Sequence, residues 1–477
     1  MKFNLYYLLK WVTFIISLWL STFCAVAEEM PSLTFQKLKN TYLSGEMVQI
    51  ELETRIPSAY PETVVDLWVA IQLPNTQLLF MTKDANNPMT FTPKPLKSGM
   101  ILTEMTESVL QTEVVDRLAG HYILYALYSE AHTDFDQLLA HSQSNLAMAP
   151  ITLAAAIGLD TRPQNSTCIA PPRPTLGNPF PPKLSDTGCV MPDNPTQPAP
   201  GVISYTINSP LWSDAAVKKR WMALPDNTQI TIREDGQWIF PIGSVLIKDF
   251  YLKDKPIETR LLVRHEEGSW AGYSYEWNEA GTDAILLGTE KTKEIDGQIW
   301  DYPSGKQCME CHTQVGVRVL GPETGQMNRV HTYFKTGRLA SQLETLIQMG
   351  LLENHDLIKE QPVIPEPTDS EAPLDLRARG YLHANCSHCH RPENNPKVPY
   401  DYRFTASLSA RCSQLIVTET GIPKIRLLTA GYPEYSLISL RMHRRDKLGM
   451  PPLGTNLVDF EGMALVDDWI RSIDCQE

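Results

Sequence analysis

Two short strings concentrate the reactive side chains of this chain: Cys308-Met309-Glu310-Cys311-His312 and Cys386-Ser387-His388-Cys389-His390. The Cys-x-x-Cys-His spacing attaches c-type haem: two thiolates add to porphyrin vinyl groups, and the histidine binds iron from one face. On a helical turn the cysteines at i and i+3 and the histidine at i+4 project from one side, so one planar macrocycle can meet all three. A redox disulfide or a zinc knuckle is the bland alternative, but zinc needs four ligands brought together, and each string would waste its histidine position. The strings predict two covalently bound haem c groups. Cys308, Cys311, Cys386 and Cys389 are the attachment points, and His312 and His390 are the iron ligands.

Sixth ligands decide between a carrier and an enzyme. Gly449-Met450-Pro451-Pro452-Leu453-Gly454 is a stiff turn in which the Met450 sulfur can be held over the second iron, with Met442 or His443 as alternatives. For the first iron the candidates are Met327, in the turn-rich Leu320 to Arg329 loop, no protein ligand, and His331. Saturated iron suits electron transfer, whereas open iron admits a substrate. Arg441, His443, Arg444, Arg445 and Lys447 form a basic run before Met450, read as loop or propionate neutralisation or as a docking patch for an acidic partner.

The elements that must position these groups read as multidomain α+β. Residues 28–155 alternate apolar and polar, as in Met47 to Thr54 and His121 to Tyr128, and predict an N-terminal β-sandwich. Residues 156–200 hold 11 prolines, between Pro163 and Pro200, and predict a linker. Residues 201–352 predict a central β-rich domain bearing the first haem, with a helix from Gly337 to Met349 near its end. After a second linker (353–373), residues 374–477 predict an all-α domain bearing the second haem. Its helices run from Leu374 to Asn385 and from Val458 to Ile473, with Gly380 at their crossing.

Lys2, Lys10 and the apolar run from Trp11 to Phe23, ending at Ala25-Val26-Ala27, predict a signal peptide over residues 1–27. An uncleaved anchor and lipidation at Cys24 are the alternatives. Loss of Lys2 and Lys10 takes the formal charge from -13 to -15, which argues against nucleic acid or an anionic membrane as partner. Of 9 cysteines, Cys168, Cys189, Cys412 and Cys475 remain for disulfides. The economical pairing is Cys168 with Cys189 and Cys412 with Cys475, among three possible connectivities.

Phe180 to Ser185, Ser209 to Asp214, Glu258 to Leu261, Tyr275 to Asn278, Gln326 to Arg329 and Met450-Pro451-Pro452 resemble the marks of an uncharacterised bacterial family of di-haem c-type cytochromes. The resemblance covers about residues 168–475 and implies architecture rather than a reaction. The C-terminal segment also looks like a class I cytochrome c domain. More weakly, Phe240, Pro241, Gly243, Val245 and Lys248 are similar to the outline of cytochrome c-prime-beta and of the hydroxylamine-oxidising cytochromes with a lysine–haem cross-link. That outline implies a five-coordinate first haem near Lys248.

The expectation is a periplasmic di-haem cytochrome, secreted or surface-exposed forms included, that passes electrons between unidentified redox partner proteins. It would be soluble after signal cleavage. The alternatives are a haem redox enzyme using an open first haem, with the second as electron port, and a non-catalytic docking or scaffold protein.

Overall fold

Apolar alternation becomes strand through most of the chain: in the computed structural model 36% of residues lie in strands and 17% in helices. It describes residues 30–58, 60–84, 88–168, 174–175, 179–314, 318–391, 400–406 and 426–473. The expected signal peptide and a Cys412–Cys475 bridge lie outside those residues. The chain divides into two compact units, one made of Met1–Val114 with Gly120–Leu153, the other of Val115–Ala119 with Ala154–Glu477. No helix of the described residues is long and apolar enough to cross a membrane.

In the first unit, Ser32–Gln36, Met47–Arg55 and Met105–Glu113 form a three-stranded antiparallel sheet, with Val48, Ile50 and Leu52 buried on one face. A seven-stranded sheet is built around the paired strands Val64–Gln72 and Gly120–Glu130. The buried hydroxyls of Thr54 and Tyr128, one from each sheet, lie 3.0 Å apart.

The second unit is organised by a six-stranded antiparallel meander: β1 (Ile203–Ser204), β2 (Val217–Ala223), β3 (Val245–Leu252), β4 (Lys255–Arg264), β5 (Trp270–Trp277) and β6 (Ala284–Leu286). Lys253 and Asp254, both with positive φ, make the tight β3–β4 turn, whose twist matches that of the strands it joins. One sheet face buries Trp221, Ile247, Leu261, Val263 and Tyr275 against Phe180, Leu184 and Val190. These last residues belong to the proline-rich segment expected as a linker. The Cys168–Cys189 disulfide pins it there, and its described residues, with a 3-10 turn at Leu184–Thr187, pack on the sheet like an added layer. The opposite face carries a second cluster, including Met222, Leu246, Leu262 and Trp238.

Six described helices attach to this body: α1 (Gly305–Cys311), α2 (Thr324–Met327), α3 (Gln342–Gln348), α4 (Leu374–Cys386), α5 (Leu437–Met442) and α6 (Phe460–Ser472). The helix expected from Gly337 starts only at Gln342, because Arg338–Ser341 pairs as a strand with Val330–Tyr333.

The expected α+β architecture with an all-α, class I cytochrome c domain at the C-terminus is incorrect. The chain is mostly β, and no all-α C-terminal domain is present among the described residues. Helices α4, α5 and α6 belong instead to the same compact unit as the meander. The Trp212 amide donates to Asn385 Oδ1 at 2.7 Å, and the Asn456 and Leu457 amides donate to the Asp214 carboxylate, each at 2.8 Å. Nor is Gly380 the helix crossing: it faces Ile364 and Pro365, whereas Gly462 of α6 lies against the Tyr381 ring of α4. Two helices with apolar faces were legible, but the C-terminal segment also rests on loops of the meander unit, at Trp212, Asp214, Ile364 and Pro365.

Candidate functional site

The first string is delivered by a hairpin. Lys291–Ile295 and Gln298–Tyr302 pair around Asp296-Gly297, both with positive φ, as a two-residue turn of this kind requires. Ser304 then caps α1: its hydroxyl accepts from the Gln307 amide, and the Gln307 side chain accepts from the Ser304 amide at 2.9 Å. This capping box starts a seven-residue helix that sets Cys308 and Cys311 one turn apart. Helix α1 rests on β5 at Gly272, where an added Cβ would lie 2.7 Å from Cys308 Cβ and 2.8 Å from its sulfur. Only a glycine lets the thiol approach the sheet this closely.

His312 closes α1, and its Nδ1 lies 2.7 Å from the Arg318 carbonyl oxygen. A carbonyl can only accept, so Nδ1 carries the proton and the Nε2 lone pair is left for a metal. Burial, reinforced by the Lys248 charge, pushes His312 down to about 3, so the imidazole is neutral and competent as a ligand at neutral pH.

The second string continues α4. The Cys386 carbonyl accepts from the Cys389 amide at 3.2 Å and from the His390 amide at 2.9 Å. His390 packs edge-on against Tyr402, with centroids 5.4 Å apart, and burial pushes it down to about 4. Its Nδ1 is buried with no hydrogen-bond partner among the described residues. None of the four cysteines Cys308, Cys311, Cys386 and Cys389 forms a disulfide.

The two strings meet. The ligand atoms of Cys311, His388 and Cys389 all lie within 4.8 Å of one another, a Cys/His cluster able to hold a metal ion. A hydrogen bond with Cys389, then burial, pushes the Cys311 thiol up to about 12. This meeting was not visible in the sequence, and neither was the part of His388. The only local hint is that the second string contains two histidines.

Met327 is fully buried, and its sulfur accepts from Gln342 Nε2 at 3.4 Å. It belongs to the apolar cluster against which Met309 of the first string packs. His331 is buried with Nε2 2.9 Å from the Ser204 hydroxyl and Nδ1 3.3 Å from that of Thr206, so both ring nitrogens are engaged. Met450 is half-buried. Its amide donates to the Arg441 carbonyl at 2.9 Å, and its carbonyl accepts from Arg445 at 3.1 Å. The basic run ties this loop down: Arg445 also donates to the Leu457 carbonyl, Arg444 pairs with Asp446, and His443 meets Asp467 at 2.9 Å. Met442 is buried beside Leu382 and Trp469.

No family model matches this chain, and no curated protein matches it.

Proposed function

We propose that this protein is an exported electron carrier that holds two haem c groups, one on each Cys-x-x-Cys-His string. The observation that carries the reading is the convergence of the strings: Cys311 and Cys389 approach each other while His312 keeps Nε2 free for iron. The residues fit the group. Four thiols outside any disulfide stand at the required spacing, both terminal histidines are half-buried and neutral, and the His390 ring holds a buried nitrogen without a partner among the described residues. Cys308 and Cys311 would hold one haem and Cys386 and Cys389 the other, with His312, His390 and Met450 as iron ligands; Met327, whose sulfur is engaged by Gln342, would leave the first iron without a sixth protein ligand.

When bound, the haems supply reversible one-electron chemistry. The chain's own contribution is to fix the histidine tautomer through the Arg318 carbonyl, to keep both imidazoles unprotonated, and to bring the two attachment sites together. Work outside the cytoplasm is supported by the Cys168–Cys189 disulfide, which needs an oxidising compartment. Its partners would be redox proteins that give and take electrons.

A second reading rests on the Cys311–His388–Cys389 cluster, whose thiolates and imidazole suit a zinc ion. A spectroscopic redox titration of the exported, full-length protein separates the two. The carrier reading expects two reversible steps, one lost on changing Cys308 and Cys311 to alanine and the other on changing Cys386 and Cys389. A protein with no reversible step and one zinc per chain would refute it.

A further inference from the structure

The meander carries a line of cations that the electron-transfer reading leaves unexplained. Arg220 of β2 stands opposite Lys248 of β3, and Lys248 stands opposite Arg260 of β4. Residues directly opposite on neighbouring strands share a face, so these three side chains form one row across the sheet. Lys218, two residues before Arg220, lies on that face too. The adjacent row is Met222, Leu246, Leu262 and Gly272, and Gly272 is where Cys308 sits. The cations therefore flank the seat of the first string.

Their partners do not balance them. Arg260 forks onto Glu258 at 2.7 and 2.8 Å and stacks over Phe250. Lys218 donates to the Leu211 carbonyl at 2.9 Å. Arg220 is only 8% exposed, yet its guanidinium makes no hydrogen bond or ion pair among the described residues. The Lys248 ammonium makes none either. Asp249, the next carboxylate along β3, alternates to the opposite face and accepts from the Thr259 hydroxyl there. Like charges placed opposite one another repel, and a buried guanidinium without a counter-ion is strongly unfavourable. Burial with neighbouring like charges also pushes Lys248 well below the ordinary lysine range.

We propose that Arg220 and Lys248, backed by Arg260 and Lys218, form a binding site for a carboxylate or small oxyanion beside the first string. A guanidinium fork next to a compact ammonium matches the paired oxygens of such a group. The anion has two possible sources: a propionate of a porphyrin attached at Cys308 and Cys311, which rests on the carrier reading, or a free inorganic oxyanion, which does not.

The test uses full-length exported protein and its Arg220→Gln, Lys248→Gln and Arg220→Lys variants, with thermal melts and haem content recorded for each. Nitrite and phosphate are titrated by calorimetry, and midpoint potentials are measured where haem is present. If a propionate is the anion, wild type shows no saturable binding and both glutamine variants lower the first potential, because loss of a nearby cation favours the ferric state. Arg220→Lys recovers much of that shift. If a free oxyanion is bound, wild type binds one of the probes saturably, and the glutamine variants weaken it about tenfold or more. Unchanged potentials together with no saturable binding overturn the proposal. A wild type that carries no haem refutes the carrier reading, while the calorimetric arm still decides the anion site.

Discussion

The thiols of Cys311 and Cys389 share a hydrogen bond, although their strings belong to different helical segments. In a chain that has acquired no haem, two thiols in contact can oxidise to one another. Protein made without haem attachment should therefore yield a Cys311–Cys389 disulfide under mild oxidation, identified by non-reducing peptide mapping. Haem-loaded protein should yield none, because its sulfurs are already in thioether bonds. A cross-link joining Cys308 with Cys386 instead would contradict the observed approach.

Gly272 sets how α1 meets the sheet. Gly272→Ala places a methyl group 2.7 Å from Cys308 Cβ, so the helix must shift or the sheet must give. Overpacking of this kind costs on the order of 1–3 kcal/mol. Chemical denaturation should show that loss, and haem attachment should fall at the first string while staying intact at the second. Wild-type stability with full attachment at both would show that the contact is not needed.

Much of this was legible locally. The strings declare themselves because attachment chemistry requires residues within five positions, and the strands from Glu258 to Arg264 and Trp270 to Trp277 follow from their own apolar content. What escaped depends on pairing over long distances. A glycine in a helix facing another apolar helix suggests their crossing, yet Ile364 fills that place at Gly380 and Gly462 makes the crossing. The Arg220–Lys248–Arg260 row exists only once the register is known. A linker rich in proline proved able to line the sheet because packing needs no amide donors, only apolar side chains such as Phe180 and Leu184.

The sixth position of the first iron should be open to added ligand. The Met327 sulfur faces Gln342, and both nitrogens of His331 face hydroxyls. Carbon monoxide added to the reduced protein should shift one haem's absorbance and leave the other unchanged, and Met450→Leu should make the second haem responsive too. Two unresponsive haems in the wild type would mean that the first iron recruits a protein ligand.

Two buried groups on the meander give stability an uneven pH dependence. Burial raises Asp249 to about 7 from 3.8, so between those values the unfolded chain has lost a proton that the folded one keeps. Stability from this group therefore falls as pH rises from about 4 to 7, by up to roughly 4 kcal/mol. Lys218, lowered by burial to about 7 from 10.5, acts oppositely: the unfolded chain holds the extra proton, and stability rises from about pH 7 to 10. The buried histidines His312 and His390, lowered to about 3 and 4, act in the opposite sense to Asp249 below pH 6.5, so each contribution is read as a difference between wild type and variant in urea denaturation. The stability of wild type relative to Asp249→Asn should fall from about pH 4 to 7, and that relative to Lys218→Met should rise from about pH 7 to 10. Differences that do not vary with pH would contradict the assignment.

Removal of the Cys168–Cys189 bridge should loosen the segment that covers the sheet. The loop spans 21 positions, and bridges of this size contribute about 2–4 kcal/mol. The double serine variant should melt at lower temperature and be clipped by protease between residues 156 and 200 before cleavage elsewhere. Equal melting with no new cleavage would show that apolar contacts alone hold the segment.

The central claim is covalent attachment of two haems. Intact mass spectrometry of the exported protein under denaturing, reducing conditions tests it directly, because thioether-bound haem survives where metal ions and non-covalent groups are lost. The account predicts a mass increased by two haems, falling to one when Cys308 and Cys311 are alanine and to one when Cys386 and Cys389 are alanine. A mature chain of unmodified mass would contradict it.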